Sequence, residues 1–215
     1  MLTIVSYSAI LEPKFSVIIP TYNRSATLGR AIQSVLGQPL PAWEIIIVDD
    51  GSSDDTREML EAFPQVIYHY QANAGVCAAR NKGAEIATGD WLIFLDSDDE
   101  LLPSALADFS KAIGEKPSAS ILLGGYYLKK NGLETKFVPE DGRYIGHLSG
   151  SFVILRKVFQ EVGGYDCHLK FAENTELFFR LDRMEPGKKE VPVPVLRYYQ
   201  NSSGGNSNLV AMSES

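Results

Sequence analysis

The chain has 215 residues, of which 45% are hydrophobic, and its formal net charge at pH 7 is −7. A chain of this length and composition can bury one sizeable α/β core. It contains no block of Lys and Arg and no basic stripe with interleaved aromatic residues, which argues against DNA or RNA as a partner. The composition therefore favours a single acidic globular domain without a nucleic-acid function.

The sequence also argues against a membrane-spanning or exported protein. No stretch reaches the roughly 18–20 apolar residues that a membrane crossing needs, and residues 1–11 lack the basic leading region and cleavage site of a signal peptide. Cys77 and Cys167 lie far apart without metal-ligand spacing, so we expect two buried, reduced thiols. These features favour a cytoplasmic protein without a transmembrane segment. Peripheral association with the inner face of the membrane and a homodimer remain open.

Short apolar runs alternate with helical patterns from residue 15 onward, which is typical of βαβ units that build a mainly parallel sheet. The predicted strands comprise residues 15–20, 44–48, 66–70, 91–95 and 120–128. The predicted helices comprise residues 28–36, a segment containing Met59, Leu60 and Phe63, and residues 73–87 and 103–114. Because the apolar positions of 73–87 are small, this helix is expected to pack close against the sheet.

Beyond a predicted turn at Asn131 and Gly132, the regular alternation gives way to a mixed region. The elements predicted there are strands at 136–138, 151–155 and 193–199 and helices at 156–162 and 175–183. Residues 201–215 are rich in Ser, Asn and Gly, and we expect them to form a polar, mobile tail.

Polar clusters follow three of the predicted strands. They are residues 20–24 (PTYNR), 49–53 (DDGSS) and 96–99 (DSDD). Ligands of open α/β sheets bind beyond the carboxyl ends of the strands, so we expect the three clusters to share one crevice. Each cluster alone could also be an ordinary turn, helix cap or solvated loop.

The density of carboxylates in these clusters has a chemical consequence. Carboxylates this close repel one another, and a divalent cation relieves the repulsion. Hard oxygen ligands suit Mg²⁺ or Mn²⁺, and a site with few protein ligands leaves coordination positions for phosphate oxygens. The pattern therefore predicts a metal-chelated nucleotide diphosphate.

Several linked motifs resemble those of family 2 glycosyltransferases. They are residues 17–24 (VIIPTYNR), 47–54 (IVDDGSSD), 79–83 (ARNKG), 96–99 (DSDD) and 162–166 (VGGYD). The resemblance implies a GT-A fold, in which a Rossmann-like, mainly parallel central sheet is flanked by helices and joined to a smaller mixed acceptor-side region. In this chain it places a nucleotide-sugar half at 15–128 and an acceptor-side half of the same domain at 129–200, after an N-terminal extension at 1–14.

The resemblance also implies an activity: inverting, metal-dependent transfer of a sugar from a nucleotide diphosphate sugar to a saccharide or glycoconjugate acceptor. A UDP- or dTDP-sugar is favoured as donor, with Mn²⁺ or Mg²⁺ as cofactor. The residues expected to bind the nucleotide sugar are Pro20, Tyr22, Asp50, Arg80, Asn81, Asp96 and Ser97. Asp98 is expected to bind the metal directly.

The catalytic base is the point at which this sequence departs from the family. The family usually carries a Glu-Asp pair at the start of a late helix, whereas this chain has Glu173 and Asn174, and Asn cannot accept the proton. We expect Glu173 to act as the base, with Asp166 as an alternative. A further alternative is a nucleotide-sugar-binding module or inactive homologue. A nucleotidyltransferase is disfavoured, because residues 20–24 are not a Gly-rich, basic phosphate loop.

Overall fold

The computed structural model describes residues 12–139, 146–169, 171–184 and 186–200. The predicted tail at 201–215 and most of the predicted N-terminal extension lie outside the described residues. Within the described ranges, none of the helices combines the length and apolar character that a membrane crossing requires.

One sheet forms the centre of the described molecule. Its strands are β1 (Phe15–Thr21), β2 (Glu44–Asp49), β3 (Ile67–Tyr70), β4 (Trp91–Phe94), β5 (Glu100–Leu101), β6 (Ile121–Lys130), β7 (Leu133–Phe137), β8 (Phe152–Leu155) and β9 (Lys188–Tyr199). Their order is β3-β2-β1-β4-β8-β6-β9-β5, with β7 paired to β6. The strands β1 to β4 pair in parallel, whereas β8 is antiparallel to both β4 and β6. The predicted mainly parallel half and mixed region are therefore both present.

Helices cover both faces of this sheet. They are α1 (Ser25–Leu36), α2 (Thr56–Met59, continued by a 3-10 turn at Leu60–Ala62), α3 (Val76–Ile86), α4 (Ala105–Glu115), α5 (Arg156–Glu161) and α6 (Glu173–Met184). Buried residues of α1 and α4 share a cluster with one face of β1, and buried residues of α3, α5 and α6 share a second cluster with the other face. Because both faces of β1 and β2 are buried, the sequences of these strands are nearly continuous runs of apolar residues.

Helix α3 packs directly on the central strand, as its small residues predict. A Cβ atom added to Gly83 would lie 2.3 Å from Cγ2 of Ile18 in β1. The helix begins at Val76 and not at residue 73, because the N–H groups of Ala74 and Gly75 bind a side chain from the end of β2. Gly75 has a φ of 91°, a backbone conformation that favours glycine and cannot continue into the helix.

Other predicted boundaries were also wrong. The helix containing Met59 ends as a 3-10 turn before Phe63. Strand β9 begins at Lys188, five residues before the predicted start, because Ile121 in β6 pairs with Lys188 and the pairing continues along both strands. The strand predicted at 136–138 is the longer β7, which forms a hairpin with β6 across the predicted turn.

Candidate functional site

The loops after β1 and β2 are tied together by Asn23. Its side-chain oxygen accepts a hydrogen bond from the N–H of Ser53 at 2.8 Å, and its own N–H donates to the Ser52 hydroxyl at 2.9 Å. Pro20 is buried within β1, whereas the neighbouring Tyr22 is 50% exposed at the edge of the sheet. The exposed ring of Tyr22 offers a face on which a planar ligand could stack.

Asp50 organises the loop that leads into α3. Its carboxylate accepts hydrogen bonds from the Gln71 side chain at 2.7 Å, from the N–H of Ala74 at 2.9 Å and from the N–H of Gly75 at 2.8 Å. The residue is buried, and the three bonds fix its orientation. The predicted contact of Asp50 with a nucleotide base remains a prediction, and any such contact would use a carboxylate that is already held in place.

The acidic loop after β4 carries negative charge that the protein only partly compensates. Burial raises the pKa of Asp98, the Asp96 carboxylate raises it further, and the guanidinium of Arg24 lowers it. That guanidinium lies 3.9 Å from the Asp98 carboxylate, a long distance for an ion pair. Arg30 anchors the loop by donating a hydrogen bond to the Asp98 carbonyl oxygen. Asp99 is almost fully buried and accepts a hydrogen bond from the N–H of Tyr199 at 2.9 Å.

This charge distribution fits a bound cation. The Asp98 side chain is 28% exposed and offers hard oxygen ligands, and a positive ion beside it would offset the repulsion from Asp96. In the part of the chain that the structure describes, no three His, Cys, Asp or Glu side chains form a ready metal site. A cation here would therefore have few protein ligands and would keep positions for other oxygen atoms.

Arg80 is the centre of the polar cluster. Its side chain is only 2% exposed, and its guanidinium donates to Asp96 at 2.7 Å, to Glu173 at 2.9 Å and to the Ser149 hydroxyl at 2.8 Å. The guanidinium also lies 5.2 Å from the ring centroid of Tyr165. One buried cation thus joins the acidic loop after β4 to the first residue of α6, which is 93 residues away from Arg80 in the chain.

Glu173 is held as an ionised carboxylate by this cluster. Burial alone raises the pKa of Glu173, but the charge and hydrogen bond of Arg80 lower it more, so that it lies below the ordinary value of 4.5. Arg80 binds the Oε1 atom. The Glu173 side chain is 20% exposed. The arrangement can therefore accept a proton from a molecule in the cleft.

Two asparagines hold the segment between α5 and α6. Asn174 accepts a hydrogen bond from the Tyr165 hydroxyl at 2.8 Å and donates to the Ser149 hydroxyl at 3.3 Å. Asn81 bonds the backbone of Tyr165 in both directions, each at 2.8 Å. A Cβ atom on Gly164, whose φ is 70°, would lie 2.7 Å from the Asn81 side-chain oxygen. The glycine permits this close approach, and the Asn81 amide is engaged inside the protein.

The structure brings some predicted residues together and leaves others apart. Arg80, Asp96 and Glu173 form one cluster, and the buried Ser97 and the half-buried Asp98 follow directly in the same loop. Asp50 is linked to this cluster indirectly: it binds the N–H groups at the start of α3, and α3 carries Arg80. The alternative base Asp166 instead bonds His168 at 2.9 Å on the exposed surface.

Two features of the site were not foreseen in the sequence. Ser149 binds Arg80 and Tyr165 binds Asn81, both far away along the chain, and neither contact has a local signal in the sequence, although Tyr165 belongs to the 162–166 motif. The prediction of a buried Cys167 was wrong: the residue lies in the exposed loop after Tyr165, where its sulfur accepts a hydrogen bond from Asn81 at 3.4 Å. Cys77 in α3 is buried as predicted.

Comparison with curated proteins identifies relatives that are named as glycosyltransferases. YibD of Escherichia coli K12, an uncharacterised glycosyltransferase, is 44% identical over 95 residues, which is 42% of this chain and 28% of YibD. TuaG of Bacillus subtilis 168, a putative teichuronic acid biosynthesis glycosyltransferase, is 33% identical over 150 residues, which is 66% of this chain and 60% of TuaG. The chain thus matches less than two thirds of the length of either relative.

Solved structures of TarS from S. aureus share the fold. TarS 1-349 superposes with a TM-score of 0.76 at 24% identity, covering 86% of this chain and 60% of TarS 1-349. Its complex with UDP-GlcNAc gives the same TM-score at 23% identity and covers 89% of this chain. This likeness confirms the predicted GT-A fold. The model of the family described as glycosyl transferase family 2 matches residues 16–173, which is well over half of the sequence. The chain therefore belongs to glycosyl transferase family 2.

Proposed function

We propose that this chain transfers a sugar, with inversion at the anomeric carbon, from a nucleotide diphosphate sugar to a saccharide or glycoconjugate acceptor. The observation that carries the proposal is the Arg80 cluster, in which one buried cation holds an ionised Glu173 beside the acidic loop. Family membership supports the reaction class. The complexes of TarS with UDP and with UDP-GlcNAc support a UDP-sugar as donor, and a dTDP-sugar offers the same binding groups except for the ribose 2′-hydroxyl and a ring methyl.

The nucleotide would occupy the edge of the sheet above β1 and β2. The exposed ring of Tyr22 would stack on the base beside Pro20, and the fixed carboxylate of Asp50 would accept a hydrogen bond from a base N–H. Asp96 and Ser97 would lie next to the ribose and the diphosphate. Arg80 and Asn81 would support this surface from beneath, because both side chains are engaged in holding neighbouring segments.

Asp98 would hold the divalent cation, Mn²⁺ or Mg²⁺. When bound, the cation supplies positive charge beside the diphosphate leaving group. The protein contributes the position of the Asp98 carboxylate, which Arg30 fixes through the main chain, and a partly buried environment in which charges interact strongly. Burial and the nearby Asp96 carboxylate raise the pKa of Asp98, which means that the ionised form is destabilised until a cation binds.

Glu173 would take the proton of the acceptor hydroxyl as that oxygen attacks the anomeric carbon. Arg80 keeps the carboxylate ionised at neutral pH through its ion pair with Oε1, and the side chain is exposed enough to meet an acceptor hydroxyl. A base with a lowered pKa is weaker, but it is fully deprotonated under working conditions. Inversion follows from a single displacement in which the acceptor attacks opposite to the departing diphosphate.

A thermal-shift screen tests the donor and the cation together. The chain is heated with a panel of UDP- and dTDP-sugars, each with and without Mn²⁺. We expect the right donor at about 100 times its Kd to add about 2.7 kcal/mol, which corresponds to a rise of about 5–10 °C, and only when Mn²⁺ is present. Asp98→Asn should lose the rise, whereas the exposed control Asp90→Asn should keep it. An equal rise in Asp98→Asn would contradict the assignment of the metal ligand.

One observation favours a second candidate, a nucleotide-sugar-binding module without transfer. Asn174 stands beside Glu173 at the start of α6, and its amide cannot accept the proton. In that case calorimetry would detect donor binding, but no nucleoside diphosphate would be released with any acceptor. Restoration of turnover by Asn174→Asp would then identify the missing base.

A further inference from the structure

The main chain that follows the acidic loop is bound along one side of α1. Three polar residues at a spacing of four, two in α1 and one just past its end, make the contacts, and this spacing places them on one side of the helix. They are Arg30, Ser34 and Gln38. The first donates to the carbonyl oxygen of Asp98, the second accepts the N–H of Leu101 at 3.0 Å, and the third donates to the carbonyl oxygen of Leu102 at 2.8 Å.

The last strand of the sheet binds the same segment. Strand β5, at residues 100–101, pairs with β9 through Leu196 and Arg197. Further along β9, the N–H of Tyr199 donates to the carboxylate of Asp99 at 2.9 Å, and Asp99 is almost fully buried. The residues directly after the acidic loop are therefore held by α1 and by the end of β9 together.

Arg30 and Tyr199 also contact each other. The guanidinium carbon of Arg30 lies 4.0 Å from the ring centroid of Tyr199, which is a cation–π distance, and its Nε lies 3.1 Å from the Glu100 carboxylate. The Arg30 side chain is 38% exposed, and a long side chain of this kind has many rotamers when nothing holds it. The ring of Tyr199 therefore favours the position from which Arg30 donates to the Asp98 carbonyl oxygen.

This support matters because the cation site has few protein ligands. Within the described ranges no three His, Cys, Asp or Glu side chains are gathered into a metal site, so a cation at Asp98 depends strongly on how well that one carboxylate is held. Groups that orient a metal ligand typically change metal affinity 10–100-fold when they are removed. Arg30 fixes the carbonyl group of Asp98, and the N–H of Tyr199 fixes the side chain of the next residue.

We propose that Tyr199 is a positioning residue for the cation site: its ring holds the Arg30 guanidinium on the Asp98 carbonyl oxygen and thereby fixes the carboxylate that binds the metal. The end of β9 is then part of a site whose other residues lie on the loops after β1, β2 and β4. The inference rests on the proposed function only in taking Asp98 as the metal ligand. The hold of Tyr199 on the loop can be measured without a metal.

The first test measures Mn²⁺ binding to the full chain, with and without UDP, from the electron paramagnetic resonance signal of the free ion. Tyr199→Leu removes the ring and should weaken Mn²⁺ binding about tenfold. Tyr199→Phe loses only the hydroxyl beside Glu100 and should stay within about twofold of the native affinity, because the ring still meets the guanidinium. Native affinity in Tyr199→Leu, or an equal loss in Tyr199→Phe, would overturn the proposal.

Gln38→Leu is the matched control for stability. Gln38 is buried and binds the same segment at Leu102, farther along the chain from Asp98. The variant leaves a main-chain carbonyl without its partner and should lower the Tm at least as much as Tyr199→Leu, yet it should keep Mn²⁺ affinity within about twofold of the native value. If Mn²⁺ affinity follows the Tm across these variants, Tyr199 has a structural role alone and the proposal is wrong.

A double substitution tests whether the ring acts through the guanidinium. Arg30→Met should also weaken Mn²⁺ binding about tenfold. Because both residues act on the same carbonyl oxygen, Arg30→Met combined with Tyr199→Leu should bind Mn²⁺ no more than about twofold more weakly than Arg30→Met alone. A loss of about 100-fold, which is the product of the two single losses, would show independent action and contradict the proposal.

Hydrogen exchange tests the hold on the loop in the absence of metal. The N–H of Asp99 bonds the carbonyl oxygen of Asp96 at 3.0 Å, and it should exchange several-fold faster in Tyr199→Leu but at the native rate in Tyr199→Phe. Equal exchange in all three proteins would overturn the inference. Native Mn²⁺ binding that Tyr199→Leu leaves unchanged would refute this inference alone, whereas a native chain that binds no Mn²⁺ with or without UDP would contradict the proposed function as well.

Discussion

Arg80→Met is the most informative single substitution for the stability of the site. Methionine fills similar space in the core but removes a cation that serves Asp96, Glu173 and Ser149. Removing one partner of a buried ion pair typically costs about 3–5 kcal/mol. Because the side chains of Asp96 and Glu173 are 35% and 20% exposed, water can compensate part of the loss. We therefore expect about 3 kcal/mol at pH 7, which lowers the Tm by about 6–12 °C.

The stability lost in Arg80→Met should depend on pH, and the direction of that dependence follows from the pKa of Glu173. In the native protein the pKa of Glu173 is below its ordinary value of 4.5, so its ionisation stabilises the fold above that pH and the benefit is lost as pH falls through the folded pKa. Without Arg80, burial is the largest remaining influence on the pKa of Glu173 and raises it. As pH falls, Glu173 of the variant becomes protonated, and the free-energy cost of burying its unpaired charge disappears. The difference in free energy of unfolding between the two proteins should be largest at pH 7 and shrink toward pH 4.

Urea unfolding followed by circular dichroism at pH 7 and pH 4.5 measures both quantities. The exposed control Arg57→Met should change the free energy of unfolding by no more than about 0.5 kcal/mol at either pH. Equal stability of Arg80→Met and the native protein at pH 7 would refute the role of the buried guanidinium. A loss of free energy of unfolding that is equal at pH 7 and pH 4.5 would also refute it.

Three further substitutions or reactions test the surrounding structure. Asp50→Asn places an amide donor against main-chain N–H groups and should cost about 1–3 kcal/mol in urea unfolding. Gly83→Ala should destabilise by about 1–3 kcal/mol because its Cβ meets the sheet, whereas Gly114→Ala, facing open space, should stabilise by about 0.5–1 kcal/mol; equal effects would contradict the packing. A thiol reagent should modify Cys167 within minutes and leave Cys77, whose pKa burial raises to about 11, unreacted until the chain unfolds.

The sequence predicts most of the fold because local pattern and burial agree in its first half. Strands β1 and β2 lie between two helical layers, so their apolar runs continue without interruption. The start of α3 was misplaced because Asp50, on another element, takes the N–H groups of Ala74 and Gly75. The start of β9 was missed because its first residues are charged and are ordered by pairing with β6.

The candidate site is less predictable, since its contacts join distant parts of the chain. The motifs identify Arg80, Asp96 and Glu173 separately, but they do not say that one guanidinium binds both carboxylates. Nor does any local pattern indicate that Asn174 bonds Tyr165 and Ser149. Those relations depend on tertiary contacts between α3, the loop after β4 and the start of α6, which only the three-dimensional structure specifies.

The most direct test of the central claim is the release of nucleoside diphosphate by Glu173→Gln. The chain is incubated with the nucleotide sugar that gives a Mn²⁺-dependent thermal shift, together with a panel of saccharide acceptors. Glu173→Gln should bind the donor as tightly as the native protein and release product at least about 100-fold more slowly, while Glu176→Gln, in the same turn of α6, keeps native turnover. Native turnover in Glu173→Gln would contradict the account.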